Sequence, residues 1–206
     1  MKNSIISGTE GYASQASFLL EQYESFSFED SHAALIDYLP QQSSKILDIG
    51  SGTGRDAAWF DEKGHDVVAA EPTNEMRKGA IRLHPSPTIR WVDDSLPDLE
   101  KIKKLDTQFD FIFVSAVWMH LDKYQREAAM YSVAKLLSKG ALLFISLRHG
   151  SVPKGRRMFA VSAEETINLA SRCKLVPLYN KRTESILAGN KATDVWWTKL
   201  IFELQV

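Results

Sequence analysis

Five short apolar runs, each followed by a turn signal and most of them separated by stretches of helical periodicity, constrain this chain more than any other feature. They fall at residues 45–49, 66–70, 88–92, 109–114 and 141–147. Between them, residues 55–62, 74–83 and a long segment opened by Asp122 can form helices. In the last of these, Ala129, Val133, Leu136 and Leu137 share one side, and Gly140 is expected to end it. Strands that alternate with helices of this length build a parallel sheet covered on both faces. The run Phe109-Asp110-Phe111-Ile112-Phe113-Val114 is nearly all apolar, as a strand buried on both faces must be.

The rhythm changes at both ends. Residues 1–40 read as two helices. Ala16, Leu19, Leu20 and Tyr23 recur at helical spacing in the first, and Phe28, Leu35, Ile36 and Leu39 in the second. Ser27 with Asp30 resembles an N-terminal capping box, and Pro40 stops the second helix. Toward the carboxyl end, Ser162-Ala163-Glu164-Glu165 caps one more helix, followed by strand-like runs at 175–179 and 195–204. No helical pattern separates those two runs, so they pair antiparallel. The expected fold is α/β: a doubly wound, mostly parallel seven-stranded sheet with an antiparallel C-terminal edge strand, preceded by N-terminal helices. The 206 residues suffice for one core, which gives a single domain with a helical cap at 1–42 and a core at 43–206.

Composition narrows the function. With 25 basic and 26 acidic residues the net charge is −1, so the chain carries no overall electrostatic footprint for nucleic acid. Cys173 is the sole cysteine, which excludes an internal disulfide and a thiolate zinc site; its expected role is that of a small buried hydrophobe on a helix. No metal-ligand spacing is present. No run approaches the ~18 apolar residues that span a bilayer, and residues 1–12 lack the apolar core of a secretory signal. A cytoplasmic monomer or homodimer is the expectation.

The richest segment is Ile46-Leu47-Asp48-Ile49-Gly50-Ser51-Gly52-Thr53-Gly54-Arg55-Asp56. Glycines between a buried strand and a helix let the backbone turn sharply and approach a ligand closely. The stretch from Gly52 to Ala57 also satisfies the dinucleotide pattern Gly-x-Gly-x-x-Gly/Ala, so the loop alone leaves a nicotinamide-dependent oxidoreductase open. With its surroundings the chain resembles the class I, Rossmann-like S-adenosylmethionine-dependent methyltransferases. Asp48, Gly50, Gly52 and Gly54 match that family's first motif. Glu71, followed by Pro72, matches the acid that ends the second strand and accepts from the ribose hydroxyls. Asp93 and Asp94, followed by Ser95, stand where the family carries an acid for the adenine amino group, and Asp94 has the better spacing. The Leu96-Pro97 pair, the exit of the fourth strand through Ser115, and Leu136-Leu137-Ser138-Lys139-Gly140 fit less sharply. The resemblance implies S-adenosylmethionine as cofactor, with Ser51, Ser115 and the N-terminal Tyr12 also near it.

The acceptor is less defined. Methyltransferases of exocyclic amino groups carry Asn/Asp-Pro-Pro-aromatic after the fourth strand, and this chain has Ser115-Ala116-Val117-Trp118. No appended recognition domain is expected, which favours a small-molecule acceptor over protein or RNA. Trp118 and His120 lie at the mouth of the expected sheet as candidate catalytic and substrate-binding residues, His120 as a base near neutral pH. The alternatives are aromatic packing and a structural histidine. His32 falls on the apolar side of its helix, which favours a core role, yet with Tyr12 and Tyr23 it is also a candidate lid residue. The basic stretch after the fifth strand offers Arg148, Arg156 and Arg157 to an acidic acceptor. A cofactor-binding protein without catalysis is the competing reading.

Overall fold

A computed structural model describes residues 6–205. Met1 to Ile5, part of the expected cap and of the segment read for a secretory signal, and Val206 lie outside the described residues. The N-terminal layer comprises α1 (Ala16–Tyr23) and α2 (Phe28–His32), and the latter continues as a 3₁₀ turn over Ala33–Tyr38. The core follows as β1 (Lys45–Ile49), α3 (Arg55–Glu62), β2 (Asp66–Ala70), α4 (Asn74–Leu83), β3 (Arg90–Val92), α5 (Glu100–Lys103), β4 (Phe109–Val114), α6 (Lys123–Leu136) and β5 (Leu137–His149). It closes with α7 (Ala163–Ser171), β6 (Leu175–Glu184), α8 (Ala188–Lys191) and β7 (Trp196–Leu204).

The seven strands form one sheet in the order β3-β2-β1-β4-β5-β7-β6. β1 to β5 are parallel, while β7 runs antiparallel to both β5 and β6. The antiparallel strand therefore lies one place in from the edge, which β6 forms. β6 also runs five residues beyond the expected 175–179, because it pairs with β7 from Leu175↔Leu204 to Glu184↔Trp196. Strand order reverses between β1 and β4, and a doubly wound sheet opens its ligand crevice at that reversal. The glycine loop leaving β1 sits there.

The period-two alternation of the strands divides the core. Leu47, Ile49, Ile112, Val114, Leu143 and Ile145 pack beneath α6 and α7. On the other face, Ile46, Val67, Phe111, Phe113, Phe144 and Ile201 pack against α2 and α3. Phe28 fixes the N-terminal layer to this second face. It is 1% exposed, stacks on Trp59 at 4.0 Å and meets Phe60 edge-on at 5.4 Å. The first helix docks on α4, whose Gly79 leaves room for Leu20: a Cβ there would lie 2.3 Å from Leu20 Cδ1.

Local chemistry sets the element ends. Ser27 and Asp30 make both bonds of the expected capping box, and so do Asp122 and Gln125 at the start of α6, each cap contributing about 1 kcal/mol. Two expectations are corrected. The second N-terminal helix breaks at His32, whose backbone (φ −127°, ψ 15°) leaves helical geometry. The long helix stops at Leu136 and not at Gly140, because Leu137 turns extended and pairs with Phe109. Gly140, at φ +72°, then lies inside β5, where the register slips between the Phe109 and Phe111 pairs.

Candidate active site

A cavity of about 410 Å³ opens at the carboxyl ends of the strands, within the range that holds a small ligand. Its floor is the loop after β1, whose three glycines all have positive φ: +71° at Gly50, +57° at Gly52 and +84° at Gly54. They do different things. A Cβ on Gly50 would lie 2.4 Å from Val117 Cγ2, and one on Gly54 would lie 2.5 Å from Trp91 Cη2. These two let the loop pack tightly against the protein. A Cβ on Gly52 would meet nothing nearer than 3.9 Å, so the open side of the loop belongs to the cavity.

The acids follow. Glu71, at the end of β2, is buried and accepts from the N–H of Gly52 at 3.0 Å and of Thr73 at 2.7 Å. Burial pushes its pKa up, and those two bonds oppose the rise. Asp48 is 2% exposed, and among the described residues its Oδ2 has no hydrogen-bond partner. Burial, reinforced by the charge of Asp56, holds its carboxyl well above the ordinary range. Burial alone would raise Asp56 too, but Arg55 at 2.6 Å and His32 at 3.4 Å outweigh it and hold Asp56 at about 2. Asp94 lines the cavity beside Ser95 and also accepts from the N–H of Ser95, Lys101 and Ile102, which ties β3 to α5. The carboxylate of Asp93 instead pairs with Arg77 at 3.3 Å and Lys101 at 3.2 Å, and Asp93 does not line the cavity.

Ser51, Pro72, Ser115 and Tyr12 reach the cavity wall as expected. Ser51 Oγ is buried and has no partner among the described residues. These features fit the cofactor that the glycine motif implies. An orphaned buried carboxylate oxygen on Asp48 suits an ammonium group, the Glu71 carboxylate keeps free lone pairs for hydroxyls, and Gly52 leaves space for the ligand itself.

The acceptor side divides the expected residues. Trp118 is fully buried in the core and does not line the cavity, so it packs under the loop. His120 does line it, with Nε2 3.0 Å from Tyr12 Oη and Nδ1 2.9 Å from the carbonyl of Arg157. Arg148 and Arg156 line the cavity, Arg156 stacking on the Tyr12 ring at 4.0 Å. Arg157 does not. Its guanidinium is held by Asp122 at 3.1 Å, Gln125 at 3.1 Å and the His120 carbonyl at 2.8 Å, which makes it a brace for the loop after β4. His32 is 3% exposed among Phe28, Phe113 and Phe144, yet it forms part of the deep cavity wall beside Asp56.

Lys199 and Thr183, from the C-terminal strand pair, also line the cavity and were not among the expected residues. Lys199 is buried on the cavity wall and donates to the carbonyl of Ser31. The signal was available: Trp197, Lys199 and Ile201 share one side of β7, and a lysine in such a stripe points to a polar chamber. Ser146 lies opposite Lys199 in β5 and accepts from the N–H of Ala116 at 2.8 Å, fixing the turn after β4.

Comparison with known proteins places this geometry. The model of the methyltransferase domain family matches residues 21–182. The chain is 34% identical over 116 residues to the biotin biosynthesis bifunctional protein BioHC of Cellvibrio japonicus, covering 55% of this chain and 22% of that protein. It spans less than half the length of the curated relatives it matches. Among solved structures, a TehB-like SAM-dependent methyltransferase from Corynebacterium glutamicum superposes with a TM-score of 0.67 at 20% identity, over 93% of this chain and 99% of that one. The N-methyltransferase NodS of Bradyrhizobium japonicum, in complex with S-adenosyl-L-homocysteine, gives 0.68 at 15% identity over 93% and 97%. The chain belongs to the methyltransferase domain family, and its fold is that of the S-adenosylmethionine-dependent methyltransferases.

Proposed function

We propose that this protein transfers the methyl group of S-adenosylmethionine to a small acidic molecule. The cofactor, when bound, supplies an activated methyl on a sulfonium, so the chain itself has to bind, align and exclude water. Asp48, Glu71, Asp94 and the glycine loop hold the cofactor side, with Ser51, Pro72, Ser95, Ser115 and Tyr12 completing the wall.

The observation that carries the acceptor class is the pair of guanidinium groups on the opposite wall. Among the described residues, neither Arg148 nor Arg156 has a carboxylate within 4.0 Å. Arg148 donates only to the Ser151 carbonyl at 2.7 Å, and Arg156 to the Glu10 carbonyl at 3.1 Å and Gln15 Oε1 at 2.8 Å. Two half-buried cations that meet only neutral acceptors leave a place for an anionic group. The enclosing N-terminal segment favours a small acceptor over a macromolecule. We extend the reading to a cytoplasmic monomer or homodimer; the lone cysteine is compatible with a reducing compartment.

Transfer of labelled methyl onto a panel of small carboxylates and phosphomonoesters tests this reading. Arg148→Met and Arg156→Met should each raise KM for the acceptor about tenfold or more, while the Kd for S-adenosylhomocysteine stays within about threefold. Acceptor kinetics that ignore both substitutions would refute the acidic class.

A further inference from the structure

The N-terminal segment and the turn after β4 meet in a hydrogen-bond chain through Tyr12, His120 and Arg157. Tyr12 Oη lies 3.0 Å from Nε2 of His120, and Nδ1 of the same ring lies 2.9 Å from the Arg157 carbonyl oxygen. A carbonyl can only accept, so Nδ1 carries the ring proton and Nε2 of the neutral imidazole is an acceptor. The Tyr12 hydroxyl must then donate to Nε2, which leaves its oxygen with lone pairs to accept a proton, and Tyr12 lines the cavity.

The surroundings fix this arrangement from both directions. Arg157 donates back to the His120 carbonyl at 2.8 Å, and the N–H of Phe159 donates to the Met119 carbonyl at 2.8 Å. On the other side, a Cβ on Gly8 would come within 3.3 Å of His120 Cβ, so the N-terminal segment lies directly against the residue. Burial lowers the His120 pKa, the bond to the Arg157 carbonyl raises it, and among the charged groups facing the ring Arg156 and Arg148 lower it while Glu10 raises it. The net direction is down, which keeps the ring neutral at pH 7. Burial raises the Tyr12 phenol above its ordinary value, so Tyr12 keeps its proton until a partner replaces it.

We infer that Tyr12 and His120 form a two-step proton relay, and that the acceptor is an amine or hydroxyl with a proton to lose. The inference rests on the methyl-transfer reading. The acceptor's lone pair forms the bond to the methyl carbon, and sulfur keeps the electron pair of the bond that breaks. The acceptor's proton passes to the Tyr12 oxygen as the Tyr12 proton passes to Nε2, leaving a neutral tyrosine and an imidazolium. Tyr12 is the group that touches substrate. His120 acts through it, and Arg157 positions His120. Combined with Arg148 and Arg156, the site is suited to an amino or hydroxy compound bearing a carboxylate or phosphate, and not to a thioether or tertiary amine.

The first test is nitrogen NMR of the full chain labelled at histidine, free and saturated with S-adenosylhomocysteine. The expected result at pH 7 is a His120 ring protonated at Nδ1 alone, with an Nε2 resonance that shifts in Tyr12→Phe. Protonation at Nε2, or a resonance indifferent to Tyr12→Phe, would overturn the relay. The second test compares methyl transfer to β-alanine, 3-hydroxypropionate and 3-(methylthio)propionate, three probes that share one carboxylate. Transfer is expected to the amine or the hydroxyl probe. Tyr12→Phe and His120→Gln should each lower kcat by about 10²–10⁴-fold, His120→Gln with cofactor affinity within threefold, and His120→Gln should remove the acid limb of the kcat profile. Transfer to the thioether alone, or full kcat in both variants, would overturn the inference. Failure of wild type to bind S-adenosylhomocysteine would refute the methyltransferase reading instead, and the ring tautomer is read with or without cofactor.

Discussion

The three loop glycines should separate into two that hold the fold and one that admits the ligand. Alanine at any of them forces a residue with a Cβ into the left-handed region, at about 1–2 kcal/mol. For Gly52 that is nearly the whole cost, since the nearest atom to the new methyl is 3.9 Å away. For Gly54 the methyl would also lie 2.5 Å from Trp91 Cη2, 3.1 Å from Ala80 Cβ and 3.2 Å from His84 Cδ2. Overpacking of this kind adds about 1–3 kcal/mol, so Gly54→Ala should cost about 2–5 kcal/mol in total. Urea unfolding followed by circular dichroism resolves the difference: with a slope of about 2 kcal/mol per molar, each kcal/mol moves the midpoint by about 0.5 M. Binding should rank the sites the other way. Gly52→Val fills the open side of the loop and should weaken S-adenosylhomocysteine by at least about tenfold, roughly 1.4 kcal/mol, beyond what its stability loss explains. Gly52→Ala costing as much stability as Gly54→Ala, or Gly52→Val binding within twofold of wild type, would refute this division of roles.

Three further outcomes follow from buried groups. Asp48→Asn should stabilise the free protein by about 1 kcal/mol at pH 8 and weaken S-adenosylhomocysteine binding. The folded carboxyl titrates well above its unfolded value, so stability falls as pH rises from about 4 toward the folded pKa, and calorimetric unfolding across that range should show the slope shrink in the variant. His32 titrates below its ordinary value, mainly because it is buried. Its contribution is full above about pH 6.5 and is lost as pH falls toward the folded pKa, so His32→Phe should reduce the stability lost between pH 7.5 and 5.5; an unchanged slope would contradict this. Finally, Trp118→Phe should lower the urea midpoint while leaving S-adenosylhomocysteine affinity within twofold, whereas a binding loss out of proportion would return Trp118 to the site.

The parallel core was legible because burial on both faces writes itself as apolar runs, and the glycines between them mark turns. The capping residues Ser27, Asp122 and Ser162 each begin a helix as expected. What the sequence concealed was set by partners distant along the chain. Leu137 leaves its helix because Phe109 offers a strand to pair with, which no local pattern announces. Arg157 and Arg156 are adjacent and look equivalent, but Asp122 and Gln125 capture the first while the second turns to Tyr12. Trp118 and His120 likewise stand two residues apart, one sealed in the core and one on the cavity wall. Glu71 and Asp48 could be named from the motif. Lys199 needed the strand pairing that carries it beneath Ser31.

The most direct test is calorimetric titration of the protein with S-adenosylmethionine and S-adenosylhomocysteine, on wild type and on Glu71→Ala. Micromolar binding of both by wild type, lost or weakened by at least about tenfold in Glu71→Ala, is the expected result, since that carboxylate holds the Gly52 N–H and faces the ligand space. A folded wild type that binds neither compound, or Glu71→Ala binding as tightly as wild type, would contradict the assignment of this cavity to the methyl donor.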